Sequence, residues 1–177
     1  MIVKRCLVIL LCIALLFTGC RKQEEVIYQG KPLSAWIKML EDPNPITRTA
    51  AIKAIGEMGP EAKQAIPVLI ETIRETKNRD KNILLSCNYA LLKMGKEIVP
   101  YMISLLKDDD WEMRGGSAWI LGKVGPDAKD AVPALTESLH DTNAVVRRKA
   151  AESLKKIQGA ESELEKPTSG ETASRGE

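Results

Sequence analysis

The chain has 177 residues, 28% of them charged and 4% aromatic, with four cysteines and one histidine. A net charge of +2 argues against nucleic acid, which demands a basic face. So few Cys and His residues, without metal-ligand spacing, argue against a bound metal or a disulfide framework.

From the N-terminus, Lys4 and Arg5 precede an apolar run from Leu7 to Phe17, too short to span a bilayer comfortably, which takes about 20 residues. The run ends at Phe17-Thr18-Gly19-Cys20. This resembles a bacterial lipobox, with Phe17 where Leu is usual. The resemblance implies a signal peptide over 1–19 that is removed and a lipid on Cys20. It further implies export, with anchoring to a bacterial cell membrane on the periplasmic or outer-membrane side. Residues 20–30 would then be a linker. Without Lys4 and Arg5 the basic and acidic residues balance. Cys6 and Cys12 leave with the signal, so Cys87 is the one remaining thiol, read as a small buried residue.

Between residues 31 and 158 a unit of about 33 residues recurs. Gly59-Pro60-Glu61-Ala62-Lys63 returns as Gly125-Pro126-Asp127-Ala128-Lys129, and Pro67, Pro100 and Pro133 share one register. Each unit reads as a helix pair. Proline sits in the first turn of the first helix, where its missing N–H costs nothing. Glycine closes the second helix at Gly59, Gly95 and Gly125. The second helices carry one apolar stripe: Thr47, Ala51, Ile55 and Met58; Ile83, Cys87, Leu91 and Met94; Met113, Ser117, Leu121 and Val124; Val146, Ala150, Leu154 and Ile157. The first pair has Ser34 for proline and Trp36 in the column of Leu69, Met102 and Leu135, a bulky core residue suited to covering one end of the stack. The second pair holds three extra residues between Pro67 and Leu84. From Gly159 to Glu177 the chain is polar and is expected to be disordered.

An Asp stands six residues before an Arg in three units: Asp42 and Arg48, Asp108 and Arg114, Asp141 and Arg147. With the Gly-Pro-Glu/Asp-Ala-Lys approach and the helix-opening prolines, these pairs resemble HEAT repeats of the short bacterial kind. The resemblance implies an all-α, right-handed α-solenoid of about four helix pairs. The Asp and Arg residues would form a ladder between successive repeats. Leu84 and Asn78 stand where Arg and Asp are expected, so the ladder should be interrupted in the second repeat. The tetratricopeptide pattern lacks these prolines.

No constellation for catalysis is present: no paired Cys or His, no strand feeding a Gly-rich loop, and a single turn histidine, His140. Asp108-Asp109-Asp110 lacks the glycine and distal Glu of a calcium loop. The reading is therefore a non-enzyme with no cofactor and no metal. In HEAT-like stacks the second helices line the concave face. The position two after the small column there holds Lys53, Tyr89, Trp119 and Glu152. Leu85 and Gly115 lie one turn before the two aromatics, Lys93 and Lys123 one turn after. This pattern suits a partner-binding hot spot, while Trp111 is expected to cover a turn. The function expected is a protein–protein interaction scaffold or adaptor in the cell envelope, with an envelope protein or peptide as partner. The alternatives are a HEAT-like subunit assisting an enzyme, in a lyase-type or chaperone-like role, and a self-associating structural repeat.

Overall fold

A computed structural model of the protein describes residues 25–76 and 80–164, with side chains through Gly159. The expected signal, Cys20, Asn78 and the segment from Glu165 onward lie outside the described residues.

Four helix pairs follow one another: α1 (Leu33–Lys38) with α2 (Pro45–Met58), α3 (Ile66–Thr76) with α4 (Lys81–Lys93), α5 (Val99–Leu105) with α6 (Trp111–Val124), and α7 (Val132–Glu137) with α8 (Ala144–Leu164). The architecture is an all-α solenoid. The stripe read from the sequence is the core: Ala51, Ile55, Ile83, Cys87, Leu91, Met94, Leu121, Val146 and Ala150 are fully buried. A repeat cannot bury this stripe alone, so stacking supplies the stability.

Local sequence explains each break. Gly59, Gly95 and Gly125 end their helices with positive φ of 59°, 60° and 72°. A residue with a side chain is strained there. The Gly-Pro-Glu/Asp-Ala-Lys segments are 3-10 turns that bury Ala62 and Ala128 completely. Before each second helix the turn is held by side-chain carboxylates and amides. Asp42, Asp108 and Asp141 accept from the backbone N–H groups of Asn44, Asp110 and Asn143. Asn44, Asp80, Asp110 and Asn143 then accept from the first-turn N–H groups of α2, α4, α6 and α8. This Asp-then-cap pattern satisfies donors a helix start leaves open.

Two features depart from expectation. No strand is anticipated from the sequence, yet Ile27–Tyr28 and Lys31–Pro32 form a small antiparallel hairpin, β1 and β2. Gln29 and Gly30 take φ of 50° and 74° at its turn, as tight two-residue hairpins require. The residues from Val26 to Gly30 are thus part of the domain, whereas a linker through residue 30 was expected. The Trp36 indole N–H donates to the Tyr28 carbonyl (3.1 Å), Leu33 N–H to the Val26 carbonyl (2.8 Å), and Val26 and Tyr28 pack on the core. The hairpin helps Trp36, 5% exposed, close the end of the stack, because a terminal repeat has no neighbour to do so. At the other end, α8 runs to Leu164, into the segment expected to be disordered. Ala160, Glu161, Glu163 and Leu164 are good helix formers, and with no proline before Leu164 they carry a helix already nucleated past Gly159.

Candidate binding groove on the second-helix face

The Asp–Arg ladder is built from the turns upward. Arg114 donates through Nη1 to the carbonyls of Asp108 (2.8 Å) and Asp109 (3.0 Å). Its Nε and Nη2 reach forward to the Asp141 carboxylate at 2.7 and 3.0 Å. The side chains of this pair are 14% and 9% exposed. Arg114 holds the Asp141 carboxyl below the usual carboxylate range, and Asp141 raises the Arg114 guanidinium in turn. Arg48 and Arg147 make the same backbone contacts, to Asp42 and Pro43 and to Asp141 and Thr142. An arginine therefore grips the carbonyls of its own turn. In repeat three it also grips the carboxylate of the next turn.

The expected interruption in the second repeat is corrected by a residue the sequence pattern missed. Leu84 does occupy the arginine register. Arg74, in the last turn of the first helix α3, instead binds the Asp108 carboxylate with both terminal nitrogens, at 3.2 and 2.6 Å. Helix α3 spans Ile66–Thr76 and so outruns α5 and α7, and its added length carries Arg74 to that position. Its hydrogen bonds to the Asp108 carboxylate raise the Arg74 guanidinium above its ordinary value, against a smaller opposing effect of burial. The other ladder arginines lie on second helices, so nothing in the periodicity singles out Arg74. Asp108 and Asp110 serve the turn, and no group of three metal-ligating side chains occurs among the described residues.

The joints between second helices differ. In α2 against α4, Gly56 faces Ala90, and a Cβ on Gly56 would meet the Ala90 backbone at 3.0 Å. In α6 against α8, a Cβ on Gly122 would meet Ser153 Cα at 2.9 Å, and Ser153 Oγ donates to the Ala118 carbonyl at 2.7 Å. Both joints close by backbone approach. The same register places Leu92 on α4 and Ile120 on α6, two bulky side chains where the other joints have glycine and a small residue. Helices α4 and α6 accordingly touch sparsely.

An apolar groove of about 510 Å³ opens at this joint. Ile70, Ile73, Met102 and Leu105 from the first helices reach its floor, with Leu84, Leu91, Met113 and Ile120 on its walls. Leu85, 65% exposed, and Trp111, 42% exposed, stand at its mouth. Trp111 thus lines the groove, where the sequence had assigned it to a turn. Trp119 is half-buried and packs on the core from the groove wall. Asn88, Glu112, Ser117 and Lys149 are its polar groups. Desolvation lowers the Lys149 ammonium from its ordinary value, helped by the charge of Arg148.

The other candidate residues surround this groove. Tyr89 is exposed, and its ring lies 5.3 Å beneath the Lys93 Nζ. Lys123 Nζ stands 5.6 Å from the Trp119 ring. Each aromatic therefore takes the lysine one turn further on, a cation–π pair. Lys53 and Glu152 are exposed, and Arg148 lies 3.9 Å from Glu152. Gly115 is buried, with the Lys149 stem and Val146 over it. Leu85 and Trp119 both line the groove; Tyr89, Lys53, Lys93, Gly115, Lys123 and Glu152 stand outside its lining. Cys87 is fully buried and its thiol is pushed up to about 12 by desolvation.

The family model described as HEAT repeats matches residues 80–155, and the one described as HEAT repeat matches residues 33–62. No curated protein matches the chain. Among solved structures, an engineered protein matches at 19% identity over 71% of this chain and 62% of its own, with a TM-score of 0.39. A designed armadillo repeat protein in complex with the peptide (KR)4 matches at 17% identity over 71% of this chain and 64% of its own, with a TM-score of 0.41. The chain spans less than two thirds of the length of either. Residues 33–62 and 80–155 of this chain are thus similar to HEAT repeats, in agreement with the repeated helix pairs described above.

Proposed function

We propose that the protein is a non-enzymatic interaction scaffold, lipid-anchored in the bacterial cell envelope through Cys20, that binds a protein or peptide on its second-helix face. HEAT repeats commonly mediate protein–protein interaction. The observation that carries the reading here is the opened joint between α4 and α6. It exposes Leu85 and Trp111 over an apolar groove, in a stack whose neighbouring joints are closed. Exposed aromatics beside apolar walls are what binding hot spots are made of. The apolar run ending in Thr18-Gly19-Cys20 supports the anchor.

The test of the scaffold is a photo-crosslinking residue placed at Leu85, irradiated in intact cells, with the exposed Pro126 on the opposite turn as control. A discrete adduct from position 85 and none from 126 is expected. No adduct from either position would remove the reading. For the anchor, Cys20→Ala is expected to stop processing or to release the domain from membranes. A variant cleaved and fractionating like wild type would refute lipidation.

A further inference from the structure

Charge is sorted by side over the last three repeats, although the chain as a whole is nearly neutral; in the first repeat α1 carries the exposed Lys38, and α2 both Lys53 and Glu57. On α4, α6 and α8 up to Ile157, the exposed basic residues are Lys81, Lys93, Lys123 and Arg147, Arg148, Lys155 and Lys156 on the described surface, against Glu112 and Glu152. Helix α4 carries no acidic residue at all. On the first helices α3, α5 and α7, the exposed charges are all acidic: Glu71, Glu75 and Glu137. The apolar groove opens among these second helices, with Lys149 and Glu112 in its lining and with Lys93 and Lys123 beyond it on α4 and α6, over Tyr89 and Trp119.

The groove's shape narrows the occupant. A volume of about 510 Å³ admits side chains but not a whole helix, whose diameter is about 10–12 Å. Its mouth stands open at Leu85, Trp111 and Glu112. An open mouth does not enclose a small molecule as ligand pockets do. A third helix laid across α4 and α6 satisfies both conditions: it sends one apolar row into the groove and sets its flanks against the lysines of α4 and α6. Resting on the scaffold reading above, we propose that the groove between α4 and α6 receives the apolar stripe of an amphipathic helix whose flanking residues are Asp and Glu.

Gly116 supplies the decisive variant. It lines the groove, and a Cβ built on it meets nothing within 4 Å. A side chain can therefore start at position 116 unhindered, so Gly116→Leu places bulk in the groove, and losing a mid-helix glycine favours folding. The probes are two synthetic peptides of about 18 residues, five helical turns, sharing one leucine stripe. One carries Glu on its flanks and the other Lys. Binding is read from the fluorescence of Trp111 and Trp119, with anionic phospholipid vesicles and single-stranded oligonucleotide as separate arms. The Glu peptide is expected to bind at least roughly tenfold more tightly than the Lys peptide, and more weakly at high salt. Gly116→Leu and Leu85→Ser are expected to lose that binding by a similar factor while melting no lower than wild type. Equal binding of both peptides would overturn the proposal, as would undiminished binding to Gly116→Leu. Binding of the vesicles or the oligonucleotide in place of the Glu peptide would also overturn it. A position-85 adduct in cells with no peptide binding would sink this inference alone; absence of the adduct would sink the scaffold reading as well.

Discussion

Replacing Arg114 by alanine should destabilise the protein far more than replacing Arg148, one repeat further on. Arg114 makes two bonds to the Asp141 carboxylate and two to backbone carbonyls, with its side chain 14% exposed. Arg148 is 70% exposed and reaches only Glu152 at 3.9 Å. Charged hydrogen bonds contribute about 1.5–3 kcal/mol each way of counting. Removing one partner of a buried pair costs about 3–5 kcal/mol, because the other charge is left behind. Asp141 keeps one backbone donor, Asn143 N–H, and some solvent, so the loss for Arg114→Ala should be about 2–4 kcal/mol. Arg148→Ala should stay within about 0.5 kcal/mol. The assay is urea unfolding followed by circular dichroism. It is joined by a cycle with Asp141→Asn, which keeps the turn acceptor; the double variant should lose less than the two singles together. The pH dependence has a fixed sign. Arg114 lowers the folded-state pKa of Asp141, so this stabilisation is complete above the unfolded value of about 3.9. It disappears as pH falls through the lower folded value. The gap between wild type and Arg114→Ala should therefore shrink in acid below about pH 4. Equal stabilities for the two alanine variants, or a gap that widens in acid, would refute the ladder argument.

The two mid-helix glycines of α6 should respond oppositely to alanine. Gly122→Ala drives a Cβ into the Ser153 backbone and should cost about 1–3 kcal/mol. Gly116→Ala meets open space and should gain about 0.5–1 kcal/mol; parallel melts of the two proteins check this, and the same sign for both would contradict the joint geometry. Arg74→Ala, which strips Asp108 of its bidentate partner, should cost about 1–2 kcal/mol after allowing for the exposure of Arg74. A loss no larger than that of Arg148→Ala would show that the second repeat has no working rung.

The sequence by itself determined the period, and with it the helix pairs, their glycine ends, the apolar stripe and the register of the ladder arginines. These follow from bonding between near neighbours and from a pattern repeated often enough to align. Even the bulky residues at the opened joint were legible: Leu92 and Ile120 sit in the register of Gly56 and Ser153. They carried no warning because a leucine in a helix is ordinary until its facing partner is known. Tertiary structure alone decided the rest. Whether two helices approach or stand apart depends on pairs from different repeats. So Trp111 became a groove wall, Tyr89 an exposed ring under Lys93, and Arg74 the substitute rung that Leu84 could not provide. The hairpin at Ile27–Pro32 formed because a terminal repeat must cover the face that its neighbours would otherwise bury. The sorting of charge by side was equally hidden, since net charge is a sum and the fold alone assigns each residue to a face.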